Sequence, residues 1–312
     1  MTTLVEVARR AGVSKSTVSN VIHGRVAVAE PTRRRVEQAI SEIGYRPNAI
    51  ARSLRARASH SIGMIVPDLS NPFHAQLAVA VERAATSLGY ATLVAHTDCN
   101  PEVEEEVGRA LFDRRVDGVV IAGLSIGSKM PISLLDQGIP VVLASFGEPE
   151  DPRFGNVDHD DISAMTVVVD HLISLGHRKM AFVPQPYAEQ SGERRRQGFE
   201  SALARHGLLA APQSDSTAIV AHNDMLAIHT IDSLERSGRR VPADVSIVGY
   251  DDIPFAAHLR IGLTTVRSDA RRLGQRAVEL VTAAARAGRH VAHREIQTNP
   301  LVIRESTGVV PS

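Results

Sequence analysis

The sequence is poor in the features that mark disulfide-rich, metal-binding and membrane-spanning proteins. Cys99 is the one cysteine among 312 residues, which excludes an internal disulfide framework and a zinc site of paired cysteines. No apolar run approaches the length of a membrane span. Residues 1–20 contain Arg9, Arg10 and Lys15 without an apolar segment, so no secretory signal is predicted. We therefore expect a cytoplasmic protein with no membrane partner.

Sequence patterns of common enzymes are also missing. The chain has no G-x-x-x-x-G-K-[ST] phosphate loop, no G-x-G-x-x-G dinucleotide loop and no H-E-x-x-H zinc helix. Histidines are numerous, 13 in all, yet the segments 159–161 and 222–224 lack the spacing of a metal site. Surface or strand-end positions explain them better. The sequence favours a protein that is not an enzyme and has no catalytic residue, metal ion or cofactor.

The formal net charge of zero hides two oppositely charged parts. Residues 1–60 contain 11 Lys/Arg and 4 Asp/Glu, a balance of +7, and the rest of the chain carries −7. A basic N-terminal part gains free energy on DNA by releasing counterions, and an acidic remainder does not compete for the phosphates. The charge distribution therefore indicates DNA as a partner.

Residues 3–24 predict two short helices joined by a tight turn. Thr3 and Glu6 can form a capping box at the start of the first helix, and Gly12 supplies the left-handed residue that ends it. Ser14 caps the second helix, whose valines and isoleucine share one face. The opposite face carries basic and short polar side chains that suit a major groove: Lys15, Ser16, Thr17, Ser19, Asn20 and His23. An amphipathic helix pair of an ordinary all-α domain is the alternative.

Two further segments complete the basic part. Residues 30–43 predict a third helix that ends at Gly44. Pro47 then interrupts the chain, and Asn48 can cap a short helix that carries several arginines. Because an isolated helix of this length is unstable in water, it needs a partner surface or DNA in order to form.

The N-terminal part resembles the DNA-binding head and hinge of the LacI family of bacterial transcription regulators. The matching patterns are T-L-x-x-V-A-x-x-A-G-V-S-x-x-T-V-S-x-V at 3–21 and G-Y-x-P-N-x-x-A-R-S-L at 44–54. The resemblance implies a homodimeric repressor that binds a near-palindromic, double-stranded operator. Leu54 matches the leucine that family members insert into the central base step of the minor groove. The DNA-binding residues that it implies are Thr3, Ser14, Lys15, Ser16, Thr17, Ser19, Asn20, His23, Asn48, Ala51 and Leu54.

Two positions depart from the family pattern. Asn20 stands where arginine is frequent, and asparagine prefers adenine to guanine when it binds a base through both side-chain atoms. Ala29 replaces the usual serine cap of the third helix, a loss of about 1 kcal/mol, and Glu30-Pro31 starts that helix instead.

After residue 60, strand and helix patterns alternate along the chain. Apolar strands separated by helices predict parallel sheets that are covered on both faces. Two such runs predict two lobes with a cleft between them, an α/β body like that of periplasmic binding proteins, which the resemblance also implies. The domains expected are a helix-turn-helix head at 1–47, a hinge at 48–60, a first lobe at 61–158 with about 268–290, and a second lobe at 159–267 with about 291–312.

Polar residues follow several predicted strands, at the edge where open α/β sheets bind ligands. The resemblance implies an effector cleft, and its carboxylate, guanidinium, amide and aromatic groups suit a sugar or another polyhydroxyl ligand. Arg195 lies in a run of three arginines and Asp251 could cap a turn, so a solvated or structural role is the alternative for each. The effector-binding residues that the resemblance implies are Phe73, His74, Ser145, Phe146, Ser191, Arg195, Asn223 and Asp251.

One segment is shorter than the resemblance implies. Between residues 207–209 and 217–220 the family has a further strand and helix, and this chain has only A-A-P-Q-S-D-S. Because crossovers are right-handed, either the helix at 193–205 changes face or the connector at 206–216 runs back beneath the sheet. We expect a second lobe shortened by one βα unit, a cleft incomplete on one wall, and altered effector binding with DNA binding retained.

Two features bear on the oligomer. No leucine heptads follow the last predicted strand, which favours a dimer over a tetramer. Leu77, Val81 and Ala84 form a stripe on the helix at 74–88 that could be a dimer face, with a place in the core as the alternative.

Overall fold

A computed structural model describes most of the chain, in two units at 1–59 and 60–312 that each have a hydrophobic core. The described residues are 3–23, 26–45, 58–147, 149, 151–187, 189–290 and 292–311. The predicted hinge residues Asn48, Ala51 and Leu54 lie outside them, as does the side chain of His23.

The first unit contains the three predicted helices, α1 (Leu4–Ala11), α2 (Lys15–His23) and α3 (Glu30–Glu42). The capping box is confirmed, because the Thr3 amide donates to Glu6 Oε2 over 2.7 Å and the Glu6 amide donates to Thr3 Oγ1. Ser14 Oγ accepts from the Thr17 amide over 3.1 Å and caps α2. Helix α3 begins after Ala29 without a side-chain cap. Apolar residues of all three helices form a small core: Val7, Ala8, Ala11, Val18, Val21, Val36, Ala39 and Tyr45.

The second unit alternates strands and helices as predicted. Its strands are β1 (Ser61–Val66), β2 (Ala91–His96), β3 (Gly118–Ile121), β4 (Val141–Ala144), β5 (Gly155–His159), β6 (Met180–Val183), β7 (Ala218–Ala221), β8 (Ser246–Asp251), β9 (Thr264–Arg267), β10 (His293–Gln297) and β11 (Leu301–Val302). Its helices are α4 (Pro72–Ser87), α5 (Pro101–Asp113), α6 (Met130–Asp136), α7 (Asp161–Ser174), α8 (Gln190–Arg205), α9 (Asp224–Arg236) and α10 (Ala270–Ala287). Among the described helices, none is both long and apolar enough to cross a bilayer.

The first lobe is a six-stranded parallel sheet in the order β10-β5-β4-β3-β1-β2. Helix α10 packs against α4 and against the sheet, which places residues 270–287 in this lobe as predicted. The expectation that residues 291–312 belong wholly to the second lobe was wrong. Strand β10 instead pairs with β5 in the first sheet, since an exposed strand following α10 can extend that sheet at its edge.

The second lobe is a five-stranded sheet in the order β11-β9-β8-β7-β6, with β11 antiparallel. Helix α8 packs on the face that carries Val220 and Tyr250, whereas α9 packs on the face that carries Ile219 and Ile247. The chain steps in the same direction from β6 to β7 and from β7 to β8, so two right-handed crossovers would put both helices on one face. One of the two crossovers is therefore left-handed.

The connector between α8 and β7 explains this unusual crossover. The amide of Ala211 donates to the carbonyl of Met180 over 2.8 Å, on the outer side of β6. The Thr217 amide then donates to the Lys179 carbonyl over 3.0 Å, directly before β7. The connector thus passes around the free edge of β6 and returns at the start of the strands, while α8 keeps its place against α7. Of the two predicted possibilities, the structure shows the second.

The stripe considered as a dimer face is core at two of its three positions. Leu77 and Val81 are fully buried against the first sheet and α10. Helix α4 presents other apolar side chains to solvent, since Val79 and Leu88 are 48% and 38% exposed. Leu77 and Val81 are four residues apart and therefore lie on the same face of α4. Helix α10 packs against α4.

Candidate functional site

The polar face of α2 is the first candidate surface. Lys15 and Ser16 are exposed, and Thr17, Ser19 and Asn20 are partly exposed, while Val18 on the same helix is fully buried. Ser14 Oγ lies 2.7 Å from Ser16 Oγ and 2.9 Å from Thr17 Oγ1, so these hydroxyls form a chain around the helix start. The amide hydrogens at the start of a helix and a lysine beside them suit a phosphate, and an asparagine one turn later suits a base edge.

Seven of the eight predicted effector residues line one cavity between the two lobes. Phe146 is the exception, because it packs half-buried against the core of the first lobe around Leu143 and Phe154. The remaining wall includes residues that the sequence reasoning did not single out. The cavity is lined by Asn71, Phe73, His74, Ala122, Gly123, Ser145, Gln185, Glu189, Ser191, Arg195, His222, Asn223 and Asp251.

Strand ends and helix starts position the polar groups, as parallel α/β topology requires. Asn71 and Asn223 cap α4 and α9, and their Oδ1 atoms accept from Phe73 and Leu226 amides over 3.0 and 2.9 Å. The side-chain amide of Asn71 also hydrogen-bonds to Asp251. Ser145 follows β4 with φ 56°, and Asp251 ends β8 with φ 117°. Left-handed backbone at two non-glycine residues of one cavity is the kind of local strain that concentrates at functional sites.

Arg195 is the buried cation of the cavity. Its Nε donates to Asp161 Oδ1 over 3.3 Å, and one terminal nitrogen donates to the His222 carbonyl over 2.9 Å. Its guanidinium carbon lies 3.7 Å from the ring centre of Tyr250, whose hydroxyl donates to the same Asp161 oxygen over 2.7 Å. The alternative in which Arg195 belongs to a solvated face is wrong, since the residue is 3% exposed.

Three buried histidines surround the cavity and stay neutral near pH 7. Burial lowers the pKa of His74 and of His159 to about 4. Burial, reinforced by Arg195, lowers the pKa of His222 well below its usual range. His74 Nδ1 lies 2.9 Å from the Asp68 carbonyl and His159 Nδ1 lies 3.1 Å from Ser145 Oγ. The expectation that residues 159 and 222 are surface or strand-end histidines holds for their positions at strand ends but not for their burial.

The lobes meet across the cavity through a few polar contacts. Arg194 of α8 lies 3.5 Å from Asp158 Oδ2 and donates to the His159 carbonyl over 3.3 Å, both on β5 of the first sheet. Ser125 and Glu189 form an isolated antiparallel bridge between the lobes. The cavity measures about 20 Å³, which is room for about one water molecule. A molecule as large as a sugar needs a wider cleft than this.

Among the described residues, no group of three or more His, Cys, Asp or Glu side chains is arranged to hold a metal ion. The polar groups of the cavity are thus available as hydrogen-bond donors, acceptors and charges.

Comparison with known proteins agrees with this arrangement. The family described as "Bacterial regulatory proteins, lacI family" matches residues 3–48. "Periplasmic binding proteins and sugar binding domain of LacI family" matches residues 59–216, and a periplasmic binding protein-like domain matches residues 169–307.

Curated relatives match along nearly the whole chain. The HTH-type transcriptional repressor PurR of Photobacterium profundum is 32% identical over 98% of this chain and 98% of its own length. The HTH-type transcriptional regulator MalR of Streptomyces coelicolor is 33% identical over 99% and 98%.

Solved structures show the same fold. A lac repressor dimer bound to operator and the anti-inducer ONPF has a TM-score of 0.87 at 26% identity, over 98% of this chain and 99% of its own. A complex of the transcriptional regulator CelR with cellobiose has a TM-score of 0.72 at 29% identity, over 98% and 100%.

A helical head followed by two parallel sheets with a polar cleft defines a periplasmic-binding-protein-like DNA-binding regulator. This chain belongs to the LacI family of bacterial regulatory proteins, and it is a DNA-binding transcriptional repressor.

The alignment with the Photobacterium protein has 332 positions and includes 98% of these 312 residues, about 306, which leaves about 26 positions without a residue of this chain. That number agrees with the expected loss of one strand–helix unit. Among the described residues, no strand covers the outer side of β6.

Proposed function

We propose that the protein acts as a cytoplasmic homodimer on a near-palindromic operator and that a small polyhydroxyl ligand in the cleft controls it. The convergence of Ser191, Arg195, Asn223 and Asp251 at one interlobe cavity carries the ligand part of the proposal. Donors and acceptors of this kind match neighbouring hydroxyl groups, and Phe73 offers a ring to the apolar face of a sugar. The relatives solved with operator and anti-inducer, and with cellobiose, support the same roles.

The DNA part rests on α2 and on the hinge segment. Lys15, Ser16 and Asn20 are the proposed base readers, with Thr17 and Ser19 nearer the phosphates. Thr3, Ser14 and His23 are proposed to contribute further contacts to DNA. Residues Asn48, Ala51 and Leu54 are proposed to enter the minor groove, with Leu54 as the wedge.

The dimer face proposed here is the outer side of α4. A groove of about 1060 Å³ runs between α4 and the start of α10, and its walls include Val79, Arg83, Leu88, Arg271 and Glu279. Exposed apolar side chains beside residues of both charges suit a two-fold contact with a second copy. A Val79→Glu variant is expected to be monomeric by light scattering, with its helix content unchanged.

Control of DNA binding is proposed to be a population shift between lobe orientations. A ligand that separates or closes the lobes changes the spacing of the two hinge segments in a dimer, and one spacing allows them to pair as helices on DNA. Circular dichroism should gain helix when operator is added. Absence of that gain, with Leu54→Ala binding operator as tightly as the parent, would refute the hinge mechanism.

Selection of bound sites from random DNA, repeated with a panel of sugars, tests the whole proposal. We expect a palindromic consensus in the absence of ligand and a changed yield with one class of sugar. Recovery of no palindrome would overturn the DNA part. Calorimetry measures the ligand directly, and the shortened second lobe leads us to expect altered affinity for sugars that family members bind. Tight, family-typical binding would contradict that expectation.

A further inference from the structure

Glu189 is a cavity residue that nothing in the sequence pattern singled out, and it is held rigidly. Its backbone bridges to Ser125, whose amide and hydroxyl donate to the buried carboxylate of Glu104 over 2.8 and 2.9 Å. The Glu189 carbonyl accepts from the Glu193 amide in the first turn of α8. Contacts from both lobes therefore hold the backbone of this residue at the cavity.

The carboxylate of Glu189 is only half satisfied. Oε1 accepts from Ser191 Oγ. Oε2 is buried and has no hydrogen-bond partner, although the residue is 6% exposed and lines the cavity. A position that a side chain on Gly123, another lining residue, would occupy lies 3.9 Å from Oε2. The unpartnered oxygen thus lies beside Gly123, in the lining of the cavity.

The arginine that lines the cavity, Arg195, is already paired with another carboxylate. Arg195 forms its ion pair with Asp161, and neither Glu189 nor Asp251 pairs with an arginine or lysine among the described residues. His222 Nε2 lies 3.8 Å from Glu189 Oε1, but that ring is neutral. Burial accordingly raises the pKa of Glu189 and of Asp251. Ionisation of two buried carboxylates that have no salt-bridge partner is costly, because each loses its hydration.

We propose that the ligand of this cleft is an amino sugar, a polyhydroxyl compound whose protonated amine binds Glu189 Oε2. An ammonium group supplies both the hydrogen-bond donor that Oε2 lacks and a salt-bridge partner for the Glu189 carboxylate. A neutral hydroxyl supplies the donor alone, and an acetamido group supplies a weaker donor and a bulkier substituent. The inference rests on the proposed ligand role of the cleft and specifies the chemistry of that ligand.

Titration calorimetry on the full chain tests the proposal with matched sugars in the gluco, galacto and manno series. Each series contains the hexose, the 2-amino-2-deoxyhexose and its N-acetyl derivative. We expect the amino sugar of one series to bind at least about tenfold more tightly than both neutral sugars of that series. Burial raises the pKa of Glu189, and its ionisation strengthens the pair with an ammonium group. The affinity for the amino sugar should therefore increase as the pH rises from acidic towards neutral, while the amine stays protonated.

Glu189→Gln keeps the shape of the side chain and removes its charge. In this variant, the dissociation constants of the amino sugar and the neutral sugars of that series should differ by less than about twofold, which corresponds to less than about 0.5 kcal/mol. Glu193→Gln is the matched control, because Glu193 pairs with Arg196 outside the cavity and its loss should leave the tenfold ratio unchanged. Circular dichroism and urea unfolding confirm that both variants are folded.

The proposal is overturned if no amino sugar binds, if neutral sugars bind as tightly in every series, or if Glu189→Gln leaves the ratio unchanged. These results are separable from failure of the proposed function. If a neutral sugar changes the affinity for operator, the proposed function holds and the preference for an amine is rejected. If the protein selects a palindrome and no sugar changes its binding, DNA binding holds and both the sugar ligand and the amine are rejected.

Discussion

The guanidinium carbon of Arg195 lies 3.7 Å from the ring centre of Tyr250, and both side chains bind one oxygen of Asp161. The three residues come from α8, β8 and the start of α7, so this contact joins the elements behind the cleft. The aromatic face and the carboxylate together offset the cost of burying a guanidinium. The Arg195 guanidinium, which binds the ligand in the proposed function, thus also holds elements of the second lobe together.

Replacing Arg195 should therefore destabilise the protein even without a ligand. Arg195→Met leaves the buried Asp161 carboxylate with Arg194, at 3.5 Å, as its remaining cation. We expect the free energy of unfolding to fall by about 3 kcal/mol, the lower end of the range for breaking a buried ion pair. Tyr250→Phe removes one hydrogen bond to the same carboxylate and should cost about 1.5–3 kcal/mol. Urea unfolding at pH 7 measures both values. The double variant Arg195→Met/Asp161→Asn should recover part of the loss, and an additive loss would contradict the assigned pairing.

A variant of the recognition helix should change sequence preference. Asn20→Ala is expected to lose about 1–3 kcal/mol of operator affinity and to relax the preference at one base of each half-site, because an asparagine reads adenine through two hydrogen bonds. Site selection followed by fluorescence anisotropy measures both effects. Gln38→Ala on the exposed face of α3 is the control and should leave affinity and consensus unchanged. An Asn20→Ala consensus identical to that of the parent would remove Asn20 from the base readers.

Much of the fold follows from local chemistry in the sequence. Thr3 and Glu6 cap α1 because the two groups that bond are three residues apart, and that interaction needs no distant partner. Apolar runs such as residues 118–121 form buried parallel strands for a similarly local reason. Strand β5 was not predicted, because its sequence, G-N-V-D-H, is polar. Its burial depends on the strands that pair with it on either side, β4 and β10.

The candidate site also contains residues that the sequence could predict and residues that it could not. Asn223 and Asp251 lie where strands end, so sheet topology alone brings them to one edge. Glu189 lies in a loop whose position depends on Ser125, 64 residues earlier in the chain and in the other lobe, and no local pattern encodes such a contact. Phe146 follows the same strand as Ser145 but packs into the core, because alternate residues after a strand point in opposite directions.

The connector at the free edge of β6 should contribute measurably to stability. Ala211→Pro removes the amide that donates to Met180, and a buried carbonyl left without a partner costs about 1–3 kcal/mol. Ala210→Pro is the matched control, since the structure shows no hydrogen bond from that amide within the described residues. Urea unfolding should show the larger loss for Ala211→Pro. Equal losses in the two variants would mean that the Ala211–Met180 bond does not hold the connector.

Asp158 should make the stability of the protein depend on pH. Burial raises the pKa of this carboxyl from 3.8 to about 6, although Arg194 opposes the shift. Between these two values the unfolded chain releases the proton and the folded protein keeps it, so stability falls as pH rises from about 4 to 6. The penalty is complete above about pH 6 and is on the order of 3 kcal/mol, at about 1.4 kcal/mol for each pKa unit.

Asp158→Asn removes that titration while keeping the size of the side chain. Relative to the parent, the variant should be more stable at pH 7.5 than at pH 4 by on the order of 3 kcal/mol. Urea unfolding at both values measures the difference, and the buried histidines cancel because they titrate in both proteins. A difference that is the same at pH 4 and pH 7.5 would show that Asp158 keeps an ordinary pKa. In that case Arg194 neutralises Asp158 more fully than their separation of 3.5 Å indicates, and the contact across the lobes is stronger than we infer.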